Sequence, residues 1–195
     1  MGSGNTKSNF GKWGWSMIIY CAISFYLAAA MSTDGLNWFP AAFSAYRGWG
    51  ENVINLSNAM AGIGGWIGVV AAVIFSVMAE KWGSKVMAVL GNVFCGIFCL
   101  IFANTHSVTA FLIMIVLLTF VSGNIQLNVV PNNIMNIWFP RKKGLALGWA
   151  SMGLPLFTAT VILIFNAIGN PQVAYNVLAI IAFIVAFISI FWVKN

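Results

Sequence analysis

Charge is scarce in this chain: of 195 residues, nine are Lys or Arg and three are Asp or Glu, 6% in all, whereas 61% are hydrophobic. A soluble domain carries about 25% charged residues. This composition therefore cannot clothe a water-facing surface, and it excludes an ordinary soluble enzyme, a disordered segment and a nucleic-acid-binding module. Cysteine is scarce as well. Cys21, Cys95 and Cys99 all fall inside apolar runs, so they read as small core residues and not as a disulfide framework or a metal site. The single histidine, His106, lies in an Asn-Thr-His-Ser connection. A solvated role is expected there, with no neighbour to share a metal. No Asp, Glu, Lys, Arg or His lies near the centre of an apolar run. Ionisable groups in lipid are costly and mark proton relays, so the chain offers no proton carrier of its own. It also lacks the nucleophile–base pair or metal cluster of an intramembrane protease or lyase, and nothing in it implies a cofactor.

What the sequence does have is long apolar runs. A helix crosses the hydrocarbon layer in roughly 20 apolar residues, and six such stretches occur, at about 15–36, 56–77, 86–103, 110–137, 145–165 and 175–193. Lipid leaves no backbone group unpaired, so each predicts a helix bundled with its neighbours: an all-α membrane protein. The first run is long and lacks a cleavage pattern, so it is expected to stay in the mature protein. Residues 1–14 then form an N-terminal tail. Met1-Gly2-Ser3-Gly4-Asn5-Thr6 in it formally fits an N-myristoylation pattern and reads as a polar leader.

Orientation follows from the basic residues. With the N-terminus inside, the inner segments hold Lys7, Lys12, Lys81, Lys85, Arg141, Lys142, Lys143 and Lys194, and the outer ones only Arg47, eight against one. This bias predicts cytoplasmic termini, 194–195 included. Most tryptophans fall near the expected interfaces, Trp66 in mid-span being the exception.

The fourth run is unusually polar. Asn124, Asn128, Asn132 and Asn136 recur every four residues, along one slowly drifting helical stripe. Gln126 and Asn133 add amides on other faces, and Pro131 removes one backbone donor. Such a stripe must face helices or water. It either bonds between helices, at about 1 kcal/mol or less per bond, or forms the wall of a wet substrate cavity, and four amides in register favour the cavity. Asn132 and Asn136 then approach the cytoplasmic vestibule. Tyr20 and Ser24 in the first run can donate into the same cavity or satisfy neighbouring carbonyls. Asp34, at the outer end of that run, reads as a helix-terminal or loop residue. Gly64–Gly68 and Gly144–Gly148 are GxxxG patterns that mark close helix approaches, and Gly153 with Pro155 predicts a bend in the fifth helix.

Two inner loops carry the most specific signals. Between the second and third helices runs Ser76-Val-Met-Ala-Glu80-Lys81-Trp-Gly83-Ser84-Lys85, and before the fifth runs Trp138-Phe-Pro140-Arg141-Lys142-Lys143-Gly144-Leu-Ala-Leu-Gly148. At these loops the chain resembles the major facilitator superfamily of secondary transporters, whose first loop reads Gly-x-x-x-Asp-Arg-x-Gly-Arg-Lys. Gly83 and Lys85 match, Glu80 and Lys81 preserve charge, and Ser76 and Ser84 depart. The second loop resembles the oxalate/formate antiporter-like and monocarboxylate branches, as does Ser32-Thr33-Asp34-Gly35-Leu36-Asn37. The fifth helix lacks the Gly-Pro-x-x-Gly-Gly ending of drug/proton antiporters.

The resemblance implies the first half of a twelve-helix fold: two inverted three-helix repeats, helices one and four lining the cavity, and three and six peripheral. It implies a cytoplasmic gate loop at Glu80, Lys81, Gly83 and Lys85, and a substrate cavity at Tyr20, Ser24, Asn124, Asn128 and Asn132. The expected function is transport of a small solute, a small organic anion such as a carboxylate, by alternating access between two rocking halves. This half supplies no cavity cations, so the implied partner, besides the lipid bilayer and the solute, is a second six-helix half or another copy of the chain. The alternative is a transport-inactive membrane subunit, sensor or truncated remnant.

Overall fold

The computed structural model describes residues 10–194; Lys7, the Met1–Thr6 pattern and the terminal Asn195 lie outside them. Among the described residues, six helical segments are long and apolar enough to cross a membrane: Lys12–Asn37, Glu51–Trp82, Ser84–Asn104, Val108–Trp138, Lys143–Ile168 and Pro171–Trp192. They are built from α1 (Lys12–Ser32), α3 (Asn52–Trp82), α4 (Ser84–Asn104), α5 (Val108–Val121) continuing through a π-helical stretch, Ser122–Val129, into α6 (Val130–Trp138), α7 (Lys143–Ser151) with α8 (Gly153–Ile168), and α9 (Pro171–Trp192). Helical bonding lapses at Met152, one residue before Gly153, which divides the fifth span into α7 and α8. The loop between the first two spans holds what the apolar pattern did not signal, a short helix α2 (Phe39–Arg47).

Local chemistry explains the boundaries. Asn170 accepts bonds from the backbone N–H of Gln172 and Val173, and Pro171 opens α9 where no donor is needed. Between α3 and α4 only Gly83 intervenes, at φ 85° and ψ 158°. That conformation is essentially restricted to glycine, so this residue allows two membrane helices to meet with a one-residue turn.

An even number of spans brings both termini to one end. There, Phe10 packs on Phe139 at 4.8 Å between ring centroids, Lys194 Nζ lies 3.7 Å above the Trp13 ring, and Trp138 donates to the Lys194 carbonyl. The opposite end is closed by aromatic rings. Phe39 and Phe43 of α2 pack on Phe102 of α4, Phe111 of α5 and Tyr175 of α9, all buried, and the Tyr175 hydroxyl donates to the Ala30 carbonyl at 3.1 Å. Around this plug, Arg47 bonds the His106 ring at 2.9 Å and the Ala103 carbonyl at 3.0 Å. His106 is therefore tied to α2 rather than merely solvated. Asp34 opens a 3-10 turn and accepts from Thr158.

The packing follows a pattern. The first span packs on the fifth, the second on the fourth, the first on the fourth, and the third on the sixth. Exchanging spans one to three with four to six maps this set onto itself, and because three spans end on the opposite side from their start, the two triplets are inverted. Two apolar clefts obey the same exchange, about 330 Å³ among the first, fifth and sixth spans and about 260 Å³ among the fourth, second and third.

Close approaches hold the triplets together. A Cβ on Gly64 would collide with Thr119, on Gly68 with Asn124, and on Gly153 with the Ala22 carbonyl. The first GxxxG pattern is thus a true helix contact. Gly144 and Gly148 of the second meet nothing within 4 Å, because that face of α7 is unpartnered. Substituting Gly153→Leu, which presses on immovable backbone, is expected to destabilise the bundle by about 1–3 kcal/mol. Gly148→Ala is expected to stay within about 0.5 kcal/mol. Thermal unfolding of the two variants in detergent measures the contrast.

Candidate functional site: a polar groove beside the fourth span

The fourth span cannot continue as a plain α-helix through Pro131, which has no N–H for its ladder. The chain widens just before it. Over Ser122–Val129 the bonds reach back five residues, Val130 N–H bonding Ile125 O. Wide turns of this kind recur at functional sites, and here the turn separates amides that a four-residue repeat places together. Asn124 is buried against Gly68 of α3 and donates to the Phe120 carbonyl at 2.7 Å. Asn128 is exposed and donates to Gly123 O at 2.6 Å, and Asn132, half-buried, donates to Asn128 O at 2.8 Å.

Asn128 and Asn132 line a groove of about 320 Å³ between α3 and α6, together with Asn133, Asn136, Ser76 and Glu80. That volume is within the range of small-molecule sites, roughly 300–1,000 Å³. Asn133, expected on another face, lies in the groove as well. Glu80 brings the loop between α3 and α4 to the same groove: it lines the groove, Lys81 beside it is exposed, Gly83 forms the turn, and Lys85 is half-buried.

Tyr20, Ser24 and Asn124 do not line this groove. The Tyr20 hydroxyl is buried against Ser189 of α9 at 2.8 Å, and Ser24 donates to the Gln126 carbonyl at 3.0 Å. Ser24 takes the carbonyl-satisfying alternative, and Tyr20 bonds another hydroxyl. Both correct the cavity expectation, for the same reason: each faces the interior of the bundle, where a hydroxyl must find a protein partner. Beside them Gln126 donates to Asn92 Oδ1 at 2.8 Å and accepts from Ser122 at 3.0 Å, while Asn92 donates to Ala88 O at 2.8 Å. The polar residues of the fourth span thus divide between a buried group around Gln126, linking the third and fourth spans, and the open groove. Asn92 and Ser189 were not anticipated. The available signal was the isolation of Asn92, a lone amide in mid-run.

Six membrane-length helices among the described residues, packed around a hydrogen-bonded cluster at Gln126 with a polar groove on one side, define a multi-pass membrane protein. Residues 16–195 match the sequence profile of the Major Facilitator Superfamily, and the chain belongs to that superfamily, as a half-size version of its fold. Its function accordingly is membrane transport of a solute, a task the family generally performs without enzymatic chemistry. No curated protein matches the chain in sequence.

Replacing Gln126→Leu strands the Asn92 oxygen and the Ser122 hydroxyl in a dry interior. The expected loss is about 1–3 kcal/mol, read as a lower unfolding midpoint. A double variant with Asn92→Leu is expected to lose less than the sum of the single changes.

Proposed function

We propose that this bundle is the N-terminal half of an alternating-access transporter and forms one wall of the solute path. The observation that carries this reading is the groove itself. Within spans of membrane length, Asn128, Asn132, Asn133 and Asn136 gather with Ser76 and Glu80 on one open side. Amides are penalised in hydrocarbon, so that side belongs against water or protein. The partner is a second six-helix half or another copy of the chain, seated across the groove. The least buried spans, the second and the fifth, offer it their exposed faces.

The transported solute is a small organic anion such as a carboxylate, a reading supported by the resemblance of the Trp138–Gly148 loop to carboxylate-handling branches. The groove lining includes no Lys, Arg or His among the described residues, so the cations that hold the anion come from the partner. The termini are cytoplasmic in a cell membrane, inner or plasma, as the basic bias supports. Glu80, Lys81, Gly83 and Lys85 form the gate at that end, where the single glycine lets α3 and α4 move as levers about one residue.

Two measurements test this. Asn128→Cys and Asn132→Cys are expected to react with a membrane-impermeant maleimide, while native Cys21, Cys95 and Cys99, at 0% exposure, stay unlabelled; protection of both introduced thiols would remove the water-accessible wall. Gly83→Val forces a branched side chain into a glycine-only conformation, costing about 1–3 kcal/mol locally. Membrane insertion is expected to persist while solute uptake falls several-fold, and unchanged uptake would remove the gate assignment.

A further inference from the structure

An amide carries two N–H donors and one oxygen with two lone pairs. At Asn128 and Asn132 one donor is committed to the helix, to Gly123 O at 2.6 Å and to Asn128 O at 2.8 Å. A backbone carbonyl can only accept, so Nδ2 is the atom turned toward the helix in both residues and Oδ1 is left for other partners. Across the groove, α3 supplies the Glu80 carboxylate, acceptor-only when ionised, and the Ser76 hydroxyl. The groove's lining includes one formal charge, and it is negative. Asn133 and Asn136 bring donors and acceptors alike, so the formal charge of Glu80, and not a count of donors, sets the sign of the ligand this groove favours.

We infer that this groove binds a compact monovalent cation, an alkali ion or the primary ammonium group of a small solute, through the Glu80 carboxylate, Oδ1 of Asn128 and Asn132, and the Ser76 hydroxyl. The inference rests on the groove being the water-accessible wall proposed above. One carboxylate among neutral oxygens balances a single positive charge, whereas calcium sites gather several oxygens with more than one carboxylate. An anion would meet the Glu80 carboxylate in the same groove and be repelled by it, with no cation in the lining to offset that repulsion. The site is compatible with carriage of a carboxylate: the anion sits against the partner's cations and this wall takes the positive group.

The test uses the full chain in lipid nanodiscs, with thermal unfolding followed at constant ionic strength. Choline chloride, whose quaternary head has no N–H, is replaced by sodium, potassium or methylammonium chloride. At least one replacement is expected to raise the midpoint in a saturable way, with apparent affinity falling roughly tenfold in Glu80→Gln and in Asn132→Leu. An effect of sodium or potassium identifies a free ion; an effect of methylammonium alone identifies an ammonium-bearing solute. Equal midpoints in all four salts, or stabilisation that survives both variants unchanged, would overturn the inference. Maleimide labelling of Asn128→Cys separates the two readings. Labelling without a cation effect removes the cation site and leaves the pathway, whereas absence of labelling removes both.

Discussion

Pro131 has no N–H to give and hydrocarbon offers no substitute, so the fourth span must find another way to pair its backbone. It does so by widening over Ser122–Val129, and much of the molecule depends on that turn. Upstream of the proline, the widened segment directs Gln126 into the bundle, onto Asn92 and Ser122, while its own carbonyl receives Ser24. Further along, Asn128 and Asn132 emerge on the open side, each anchored by one bond to the helix behind it. A straight helix would have carried Asn124, Asn128 and Asn132 along one drifting stripe, with Gln126 on another face. The wide turn instead parts Asn124, buried against Gly68, from Asn128 and Asn132 on the open groove.

The second constraint is how near the helices come. In lipid, apolar surface alone gives little reason for one helix to prefer another, so close packing and internal hydrogen bonds decide the arrangement. Gly64 and Gly68 bring the second span against the fourth, and Gly153 brings the fifth against the first. These are equivalent contacts under the exchange of the two triplets, which is why one rule of packing serves both. The third and sixth spans, implied to be peripheral, pack on each other and bury Ala179, Ala182 and Ala186, with Phe187 and Phe191 on the outer face. At the end away from the termini, α2 adds a plug of aromatic rings that the repeat does not account for.

Much of this was legible in the chain before any coordinates. Length and apolarity yield six spans because the cost of burying backbone in lipid accrues residue by residue. Gly83 was legible as a turn, and Gly64 with Gly68 as a candidate contact, because a residue without a Cβ permits tight turns and close approach. Other features were not. The helix Phe39–Arg47 has too short a pattern to stand out, and its buried Phe39 and Phe43 acquire meaning only opposite Phe102 and Phe111. His106 looked like a loop residue because its partner, Arg47, lies on a different element. Gly144 and Gly148 repeat the spacing of Gly64 and Gly68, yet meet open space. The spacing is identical, and only the neighbour differs.

By itself, then, the order of residues determined the solvent this chain lives in and the six membrane-length helices among its described residues. These are sums over local properties, insensitive to which helix lies beside which. The tertiary structure alone decided which polar groups are spent on holding the bundle and which line the open groove. Tyr20 and Ser24 went to the first purpose, Asn128 and Asn132 to the second. The physical reason is that a hydrogen bond belongs to a pair, and one member of that pair is always supplied by another part of the chain.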